Sequence, residues 1–270
     1  MDVRLLAFDL DGTFLAPDKS VTPRARRAVE LLRERGIEPV PTTGRVYQTL
    51  FDRVLGMDGF RYAIAANGAV VLDVEGGRFL RRRGIEAPVA AQLVRELARP
   101  GVVSYACLDD AGATRLGSCV SREEYERVRA GARWEEGVVP DAAERIELLG
   151  APALKVGAHF REPCRYEDLA TVAEGLGLWH AASEAGNIEI APAGASKASG
   201  LATLCSKLGI PLAQVCAIGD GGNDAAMLRE AGLGVAMGNA IPEALAAADE
   251  VAPTNAEDGF ADFVERRLLG

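Results

Sequence analysis

The feature that most constrains this chain is an apolar segment near its start that ends in two closely spaced carboxylates. The run from Val3 to Phe8 is followed directly by Asp9-Leu10-Asp11-Gly12. A short apolar run that ends in a turn signal predicts a buried β-strand. Ligands of open α/β sheets bind outside the carboxyl ends of the strands, so both carboxylates are expected to reach one crevice. Two like charges this close require a cation or a shared proton, and an all-oxygen donor set favours Mg²⁺. Taken alone, the segment is also compatible with an acidic, solvated turn.

Composition excludes several classes of protein. The formal net charge of −9 disfavours a nucleic-acid partner and an anionic membrane. The chain opens directly on the first strand and contains no apolar run long enough to span a bilayer, so we expect no signal peptide and a cytoplasmic location. Five cysteines without C-x-x-C spacing are expected to be reduced packing thiols. The chain contains only two histidines, which disfavours a histidine-based metal site and a Ser-His-Asp triad.

The first part of the chain alternates strands and helices. Thr22-Pro23 predicts a helix start, and Ile37 to Thr42 predicts a second strand. Two prolines, Pro39 and Pro41, lie in that strand and predict weak pairing or a late start. Tyr62 to Ala66 predicts a third strand, and the Asn-Gly turn after it favours a hairpin.

The middle of the chain follows a different pattern, in which strands are separated by turns and a few helices. It includes strand-like segments at Arg145–Leu149 and Leu154–Ala158, and an aperiodic segment at 131–141 that predicts a loop or an irregular helix end. The alternating pattern resumes from Ile188. We therefore predict an α/β protein, with a Rossmann-like, doubly wound parallel sheet core and an inserted α+β cap domain. The predicted boundaries are 1–83 (core, first segment), 84–186 (cap) and 187–270 (core, second segment).

Four polar clusters occur at strand or helix ends of the predicted core. They are Asp9/Asp11, Thr43-Gly44-Arg45, Lys197, and Asp220 with Asn223 and Asp224. Such groups supply what a phosphoryl transfer requires. Asp9 can attack phosphorus and form an acyl-phosphate. Asp11 can protonate the leaving alcohol and later accept a proton from water.

The other clusters would stabilise charge. Thr43 offers a hydroxyl donor, and Lys197 a fixed cation, to the phosphoryl oxygens. Asp220 adds an anionic oxygen for Mg²⁺. Asn223 and Asp224, at the start of a helix, can orient the metal shell or Lys197.

Each cluster has a simpler interpretation by itself. Thr43-Gly44 is compatible with a strand-to-helix turn, and Lys197 with a solvated surface charge. The segment from Gly219 to Asp224 is compatible with a helix-capping loop.

Outside these clusters, Lys155 and His159 alternate in a predicted strand. This spacing favours a position on the solvent face over a role as ligands.

Together the four clusters resemble the motifs of the haloacid dehalogenase superfamily. Asp9-Leu10-Asp11-Gly12-Thr13 is similar to the first motif, Thr43-Gly44-Arg45 to the second, Lys197 to the third, and Gly219–Asp224 to the fourth. Asn67-Gly68-Ala69, the insert after it, and Glu189-Ile190-Ala191-Pro192 further resemble the Cof-type sugar-phosphatase branch, whose insert is a C2-type cap.

The resemblance implies a Mg²⁺-dependent phosphatase that uses an aspartyl-phosphate. It implies metal ligation by the Asp9 side chain, the Asp11 carbonyl and the Asp220 side chain, to which we add Asp224. It also implies phosphate binding by the backbone amides of Leu10 and Gly44 together with Asn223. The candidates for substrate contact and substrate choice are Arg45, Asn67, Arg115 and Lys155.

The function expected from these observations is hydrolysis of a small phosphorylated metabolite, such as a sugar phosphate, a nucleotide or pyridoxal phosphate. Two alternatives remain open. A phosphomutase would use the same aspartyl-phosphate but transfer the group to a second hydroxyl. A phosphate-binding regulatory protein would bind without turnover, although the complete set of acidic residues and Lys197 argues against it.

Overall fold

The structure is a computed structural model that describes residues 2–50, 54, 60–110, 114–119 and 142–270. The chain divides into two compact units. The core unit comprises Met1–Arg82 and Ser196–Gly270, and the inserted unit comprises Arg83–Ala195. The segment at 131–141, predicted to be a loop or an irregular helix end, lies outside the described residues.

The strands are numbered along the chain. They are β1 (Leu5–Phe8), β2 (Glu38–Pro41), β3 (Tyr62–Ala65), β4 (Val70–Asp73), β5 (Arg78–Arg82), β6 (Val102–Leu108), β7 (Arg115–Cys119), β8 (Ala153–Phe160), β9 (Trp179–Ala181), β10 (Asn187–Ala191), β11 (Val215–Gly219), β12 (Leu233–Met237) and β13 (Glu250–Ala252). The described α-helices are α1 (Pro23–Glu34), α2 (Ala87–Leu97), α3 (Ala142–Leu149), α4 (Tyr166–Gly175), α5 (Lys197–Leu208), α6 (Ala225–Glu230), α7 (Pro242–Ala247) and α8 (Gly259–Phe263).

A parallel five-stranded sheet, in the order β13-β12-β11-β1-β2, forms the centre of the core unit. Strand β1 is completely buried, as the apolar run at the start of the chain predicts. Helix α1 starts where predicted, since Thr22 Oγ1 accepts the N–H of Ala25 at 3.0 Å. The α/β class and the parallel core sheet are confirmed.

The two prolines of β2 leave its pairing with β1 intact, contrary to the predicted weakening. The N–H groups of Glu38 and Thr42 donate to β1, so the alternate positions Pro39 and Pro41 face the opposite edge. Pairing at that edge begins only with Thr43, whose N–H donates to Ile64 O at 2.9 Å. Pro39 and Pro41 therefore lack N–H groups only at the edge facing away from β1, so no hydrogen bond between β1 and β2 is lost.

A three-stranded antiparallel sheet, β3-β4-β5, follows β2 in the chain. An isolated parallel bridge between Thr42 and Ile64 connects it to the edge of the main sheet. The turn between β3 and β4 contains Asn67 at φ 51°, the left-handed conformation that asparagine tolerates. The predicted hairpin is therefore present.

The inserted unit is an antiparallel sheet, in the order β7-β6-β8-β10-β9, with α2, α3 and α4 packed against it. The prediction of a strand at Arg145–Leu149 is wrong, because these residues belong to α3. Ala142 and Ile146, four residues apart, are buried on one side, while Leu148 is 75% exposed. Helical spacing thus accounts for the apolar content of this segment.

The predicted boundary at 186/187 does not match the hydrogen bonding of the sheets. Strand β10 pairs with β8 and β9 of the inserted unit, and the core unit resumes only at Ser196. The apolar alternation of β10 resembles a core strand locally, but its partners are antiparallel strands of the insert. Within the described part of the chain, every helix is too short or too polar to cross a lipid bilayer.

Candidate active site

Three adjacent strands of the core sheet end at one edge, and each is followed by a predicted site residue. Asp9 follows β1, Asp220 follows β11, and Thr43 lies just beyond β2. The strand order β11-β1-β2 makes these ends neighbours. Asp9 remains in register with the sheet, since its N–H donates to Ile218 O at 2.9 Å. Parallel pairing therefore brings together residues that are far apart in the sequence.

Aromatic packing anchors the loop that carries the first two carboxylates. The ring centroids of Phe8 and Phe14 lie 5.1 Å apart, and both rings contact Phe260, at 4.9 and 5.0 Å. Phe14 also donates its N–H to Asp9 O at 3.3 Å. The chain therefore folds back immediately after Asp9, and the loop is fixed on both sides of it.

Lys197 is the cation of the site. Its ammonium Nζ lies 2.6 Å from Asp9 Oδ1 and 2.6 Å from Asp224 Oδ1, and its side chain is 1% exposed. The solvated-charge interpretation of this lysine is therefore wrong. Burial lowers the pKa of Lys197, but the attraction of Asp224 and Asp9 outweighs burial and the net pKa is raised. The residue is the first of α5, whose N-cap is Ser196, so the helix start fixes its position.

Asp224 connects Lys197 to the loop after β11. Its Oδ2 accepts the N–H groups of Asp220 and Gly221, at 3.1 and 3.0 Å, while its Oδ1 accepts Lys197. A Cβ at Gly219 would overlap the Asp224 carboxylate, so this position requires glycine. Because both of its oxygens are already engaged, Asp224 is suited to orient neighbouring groups.

Asp220 projects towards the first loop. Its Oδ1 accepts the hydroxyl of Thr13 at 2.8 Å, and a Cβ at Gly12 would overlap its carboxylate. Gly12 also has φ +89°, which disfavours other residues. Thr13 was not assigned a role from the sequence, although it directly follows the Asp-x-Asp-Gly segment. It fixes one oxygen of Asp220, and the other accepts no hydrogen bond from the described residues.

Three of the predicted metal-site carboxylates come together. Asp9, Asp220 and Asp224 each offer one oxygen, all within 4.8 Å of one another. Burial raises the pKa of Asp9 well above its ordinary value, despite Lys197. Burial and the charge of Asp224 raise the pKa of Asp220 to about 7. A divalent cation would relieve this crowding of negative charge, and an all-oxygen set suits Mg²⁺, so the residues fit the implied ion.

The Asp11 side chain is engaged elsewhere. Both its oxygens accept hydrogen bonds from Arg45, at 2.6 and 2.7 Å, and Lys19 Nζ lies 3.0 Å from Oδ1. Burial alone would raise the pKa of Asp11, but hydrogen bonds and attraction from Arg45 and Lys19 lower it to about 2. A metal role for Asp11 therefore depends on its backbone carbonyl. Lys19 was missed, because the sequence around it carries no distinctive pattern.

Several donors are available for an anion beside these carboxylates. Thr43 Oγ1 accepts the N–H of Arg45 at 3.1 Å, which leaves its own hydroxyl proton to be donated. The N–H groups of Leu10 and Gly44 donate no hydrogen bond within the described residues. These two amides belong to the loops that follow β1 and β2, so they lie on the same edge of the sheet as Asp9.

Asn67 and Asn223 contact each other in the core unit. Asn223 Nδ2 donates to Asn67 Oδ1 at 3.1 Å, and both side chains are buried. The N–H of Asn67 donates to Thr43 O at 3.1 Å. The turn after β3 thus connects the loops that carry Thr43 and Asn223, two residues predicted to contact phosphate.

Lys155 and His159, predicted to face solvent, lie on one face of the inserted unit's sheet with Tyr105. Lys155 is buried and forms an ion pair with Glu189 on the neighbouring strand, so the solvent-face prediction is wrong for this residue. Tyr105 stacks with His159 at 6.4 Å, and the Arg115 guanidinium lies 4.1 Å from the Tyr105 ring centroid. Alternation along a strand predicts on which face of the sheet a side chain lies, but it does not predict which side chain pairs with it there.

The family of the chain is established by comparison with known proteins. A family model described as haloacid dehalogenase-like hydrolase matches residues 6–264. The chain belongs to this family, and the resemblance of its motifs to the Cof-type branch is confirmed. Curated proteins similar to this chain over almost its whole length are phosphatases, and the enzyme class of this protein is therefore phosphoric monoester hydrolase.

Three curated relatives illustrate the similarity. Pyridoxal phosphate phosphatase YbhA of Escherichia coli (strain K12) is 29% identical over 286 residues, covering 100% of both chains. The 5-amino-6-(5-phospho-D-ribitylamino)uracil phosphatase YcsE of Bacillus subtilis (strain 168) is 28% identical, covering 100% of this chain and 97% of the relative. Phosphatase YwpJ of the same organism is 31% identical, covering 98% and 100%.

Solved structures of relatives have the same fold. A haloacid dehalogenase-like hydrolase from B. subtilis is 27% identical, with a TM-score of 0.77, covering 98% of this chain and 100% of that chain. The phosphatase BT1666 from Bacteroides thetaiotaomicron is 26% identical, with a TM-score of 0.80, covering 97% and 94%.

Proposed function

We propose that this protein hydrolyses small phosphomonoesters through a phosphorylated Asp9. The observation that carries the proposal is the environment of Asp9. Its carboxylate is buried beside the Lys197 ammonium, next to Asp220 and two positions before Asp11. A nucleophile, a fixed cation and a second carboxylate within one loop system are the groups that phosphoryl transfer through an enzyme carboxylate requires.

The first half-reaction transfers the phosphoryl group to the protein. A carboxylate oxygen of Asp9 attacks phosphorus, the bond from phosphorus to the ester oxygen breaks, and that oxygen receives a proton from Asp11. Asp11 would be protonated only with substrate bound, because the negative charge of the phosphate ester raises the pKa that Arg45 and Lys19 lower. Lys197 and the Thr43 hydroxyl stabilise charge on the transferred group. The Leu10 and Gly44 amides hold its oxygens, and Asn223 assists them.

The second half-reaction regenerates the enzyme. Water attacks the phosphorus of the acyl-phosphate, Asp11 accepts the proton of that water, and the bond from phosphorus to Asp9 breaks. Inorganic phosphate and the free Asp9 carboxylate result. Asp9 and Asp220, with the Asp11 carbonyl, would hold Mg²⁺, and Asp224 would orient them. When bound, the ion supplies positive charge against the phosphoryl oxygens.

The substrate is expected to be a small phosphorylated metabolite. Two of the relatives named above are a pyridoxal phosphate phosphatase and a 5-amino-6-(5-phospho-D-ribitylamino)uracil phosphatase. We therefore propose pyridoxal phosphate as the first compound to test, followed by sugar phosphates and nucleoside monophosphates. The inserted unit, with Arg115 and Lys155, is proposed to determine substrate choice.

The test is phosphate release from this panel, with and without Mg²⁺, by the wild type and Asp9→Asn. We expect Mg²⁺-dependent release that the substitution abolishes, because an amide is a poor nucleophile and a weak metal ligand. Release that survives in Asp9→Asn would contradict the role of Asp9. An isomerised sugar phosphate without free phosphate would instead indicate a mutase.

A further inference from the structure

Arg45 contacts Asp11 at two points. Its Nε donates to Asp11 Oδ2 at 2.6 Å and its Nη2 donates to Oδ1 at 2.7 Å. A two-point contact between a planar guanidinium and a carboxylate fixes the plane of the carboxylate as well as its position. A single ammonium such as that of Lys19, 3.0 Å from Oδ1, constrains distance only.

The backbone of Arg45 is itself held at both ends. Its N–H donates to Thr43 Oγ1 at 3.1 Å, and its carbonyl accepts the N–H of Ala66 at 2.8 Å. The Arg45 side chain is 25% exposed, so it is partly shielded from solvent. The guanidinium therefore extends to Asp11 from a fixed point at the end of β2.

The contacts leave Asp11 with limited further capacity. An ionised carboxylate has about four lone-pair sites, and Arg45 with Lys19 supplies three N–H contacts to them. Room for about one more partner remains on a side chain that is 36% exposed. A proton-transfer group needs this combination of one accessible position and a fixed direction, because it must lie within hydrogen-bond reach of the reacting oxygen.

We propose that Arg45 is a positioning residue that orients the Asp11 carboxyl group for proton transfer, with Lys19 as a secondary support, and is not a ligand of the substrate phosphate. This inference rests on the proposed function, since it assigns Arg45 to the same reaction. It replaces the expectation from the sequence motif that Arg45 contacts substrate directly.

A double-mutant cycle tests the proposal. Wild type, Arg45→Ala, Asp11→Asn and the double variant are compared for kcat, KM and inhibition by inorganic phosphate, using an alkyl phosphomonoester. We expect Arg45→Ala to lower kcat about 10²-fold, the scale of general acid–base catalysis. KM and phosphate inhibition should change less than about threefold, and the double variant should be no slower than Asp11→Asn. Arg45→Lys should recover part of kcat.

A different pattern would overturn the proposal. If Arg45 binds the substrate phosphate, KM and the inhibition constant of phosphate should rise at least about tenfold, by the same factor with or without Asp11→Asn. Arg24→Ala is the matched control, because Arg24 also makes a two-point contact in the core unit, with Glu265. Its kcat and KM should equal those of the wild type.

Leaving-group dependence separates positioning from structural damage. p-Nitrophenolate departs without a proton, so Arg45→Ala should retain a fast first release of p-nitrophenol while turnover is slow. An alkyl ester should show no such burst. Loss of the p-nitrophenol burst in Arg45→Ala would contradict a role of Arg45 confined to proton transfer. Absence of phosphate release by wild type, or its persistence in Asp9→Asn, would instead contradict the proposed function.

Discussion

The ammonium of Lys197 lies 2.6 Å from the Asp9 carboxylate, although the two residues are 188 positions apart. Both side chains are almost completely buried. A lysine buried in this way is held charged by its carboxylate partners, and the same contact fixes the direction of Asp9. The relationship joins the first and last thirds of the chain, and both the stability and the chemistry of the site should depend on it.

Replacing Lys197 with methionine should damage stability and activity together. Removal of one member of a buried ion pair leaves charge without compensation, which typically costs about 3–5 kcal/mol of the free energy of unfolding. Loss of a fixed donor to the phosphoryl oxygens should lower kcat about 10²- to 10³-fold. Urea unfolding and phosphate release measure the two effects.

Lys207→Met is the control for this prediction, because Lys207 lies on the same helix but is exposed. It should change the free energy of unfolding by less than about 0.5 kcal/mol, as is usual for surface substitutions. Equal effects of the two substitutions would contradict the account of Lys197.

Gly157→Ala should destabilise the inserted unit. Tyr105 lies across Gly157, so an added methyl group would overlap its ring. Overpacking of this kind costs about 1–3 kcal/mol in the free energy of unfolding. Gly175→Ala is the control, since nothing lies within 4 Å of a Cβ there. Its effect should be small or stabilising. In a Tyr105→Ala background the cost of Gly157→Ala should largely disappear, and persistence of the cost would refute the contact.

Lys155 and Glu189 should show strong energetic coupling. Lys155→Met alone leaves Glu189 buried without its cation and should cost about 3–5 kcal/mol. The double variant Lys155→Met/Glu189→Gln should recover part of that loss, because neither charge then remains. Additive effects of the two substitutions, measured by urea unfolding, would mean that the pair is not formed in solution.

Stability should fall at alkaline pH partly because of Cys205. Burial raises the pKa of this thiol to about 11, whereas an unfolded thiol titrates near about 8.5. The unfolded chain therefore loses this proton first. The contribution of the protonated Cys205 thiol to the free energy of unfolding is complete below about pH 8.5 and is lost as pH rises towards 11. Urea midpoints across this range should fall less steeply for Cys205→Ala than for wild type, with other buried thiols contributing the remainder. Identical slopes would contradict the raised pKa.

Much of the core was predictable because its signals are local. The apolar run of β1 and the Thr22-Pro23 helix start each determine structure within a few residues, and both occur as expected. The convergence of Asp9, Thr43 and Asp220 followed from one topological rule, that parallel strands place their carboxyl ends at one edge. Lys197 followed only from its motif, since a lysine in the first turn of a helix is ordinarily exposed.

The remaining features depend on partners that are distant in the sequence. Strand β10 was assigned to the core because its apolar pattern fits either sheet, and only its pairing with β8 decides. The residue types of Arg145–Leu149 are compatible with a strand, but this segment lies in a helix whose buried residues are spaced along one helical face. The pairing of Arg45 with Asp11, and of Lys155 with Glu189, requires side-chain directions that a motif does not contain.

The measurement that tests the central claim most directly is chemical trapping of the intermediate. Wild type and Asp11→Asn would be mixed with p-nitrophenyl phosphate and Mg²⁺, quenched in acid within one turnover, and analysed by peptide mass spectrometry. We predict a phosphoryl group on the peptide that contains Asp9, at higher occupancy in Asp11→Asn because its hydrolysis lacks a base. Repeated turnover in wild type, without phosphate on that peptide in either protein, would mean that water attacks the ester directly and would contradict nucleophilic catalysis by Asp9.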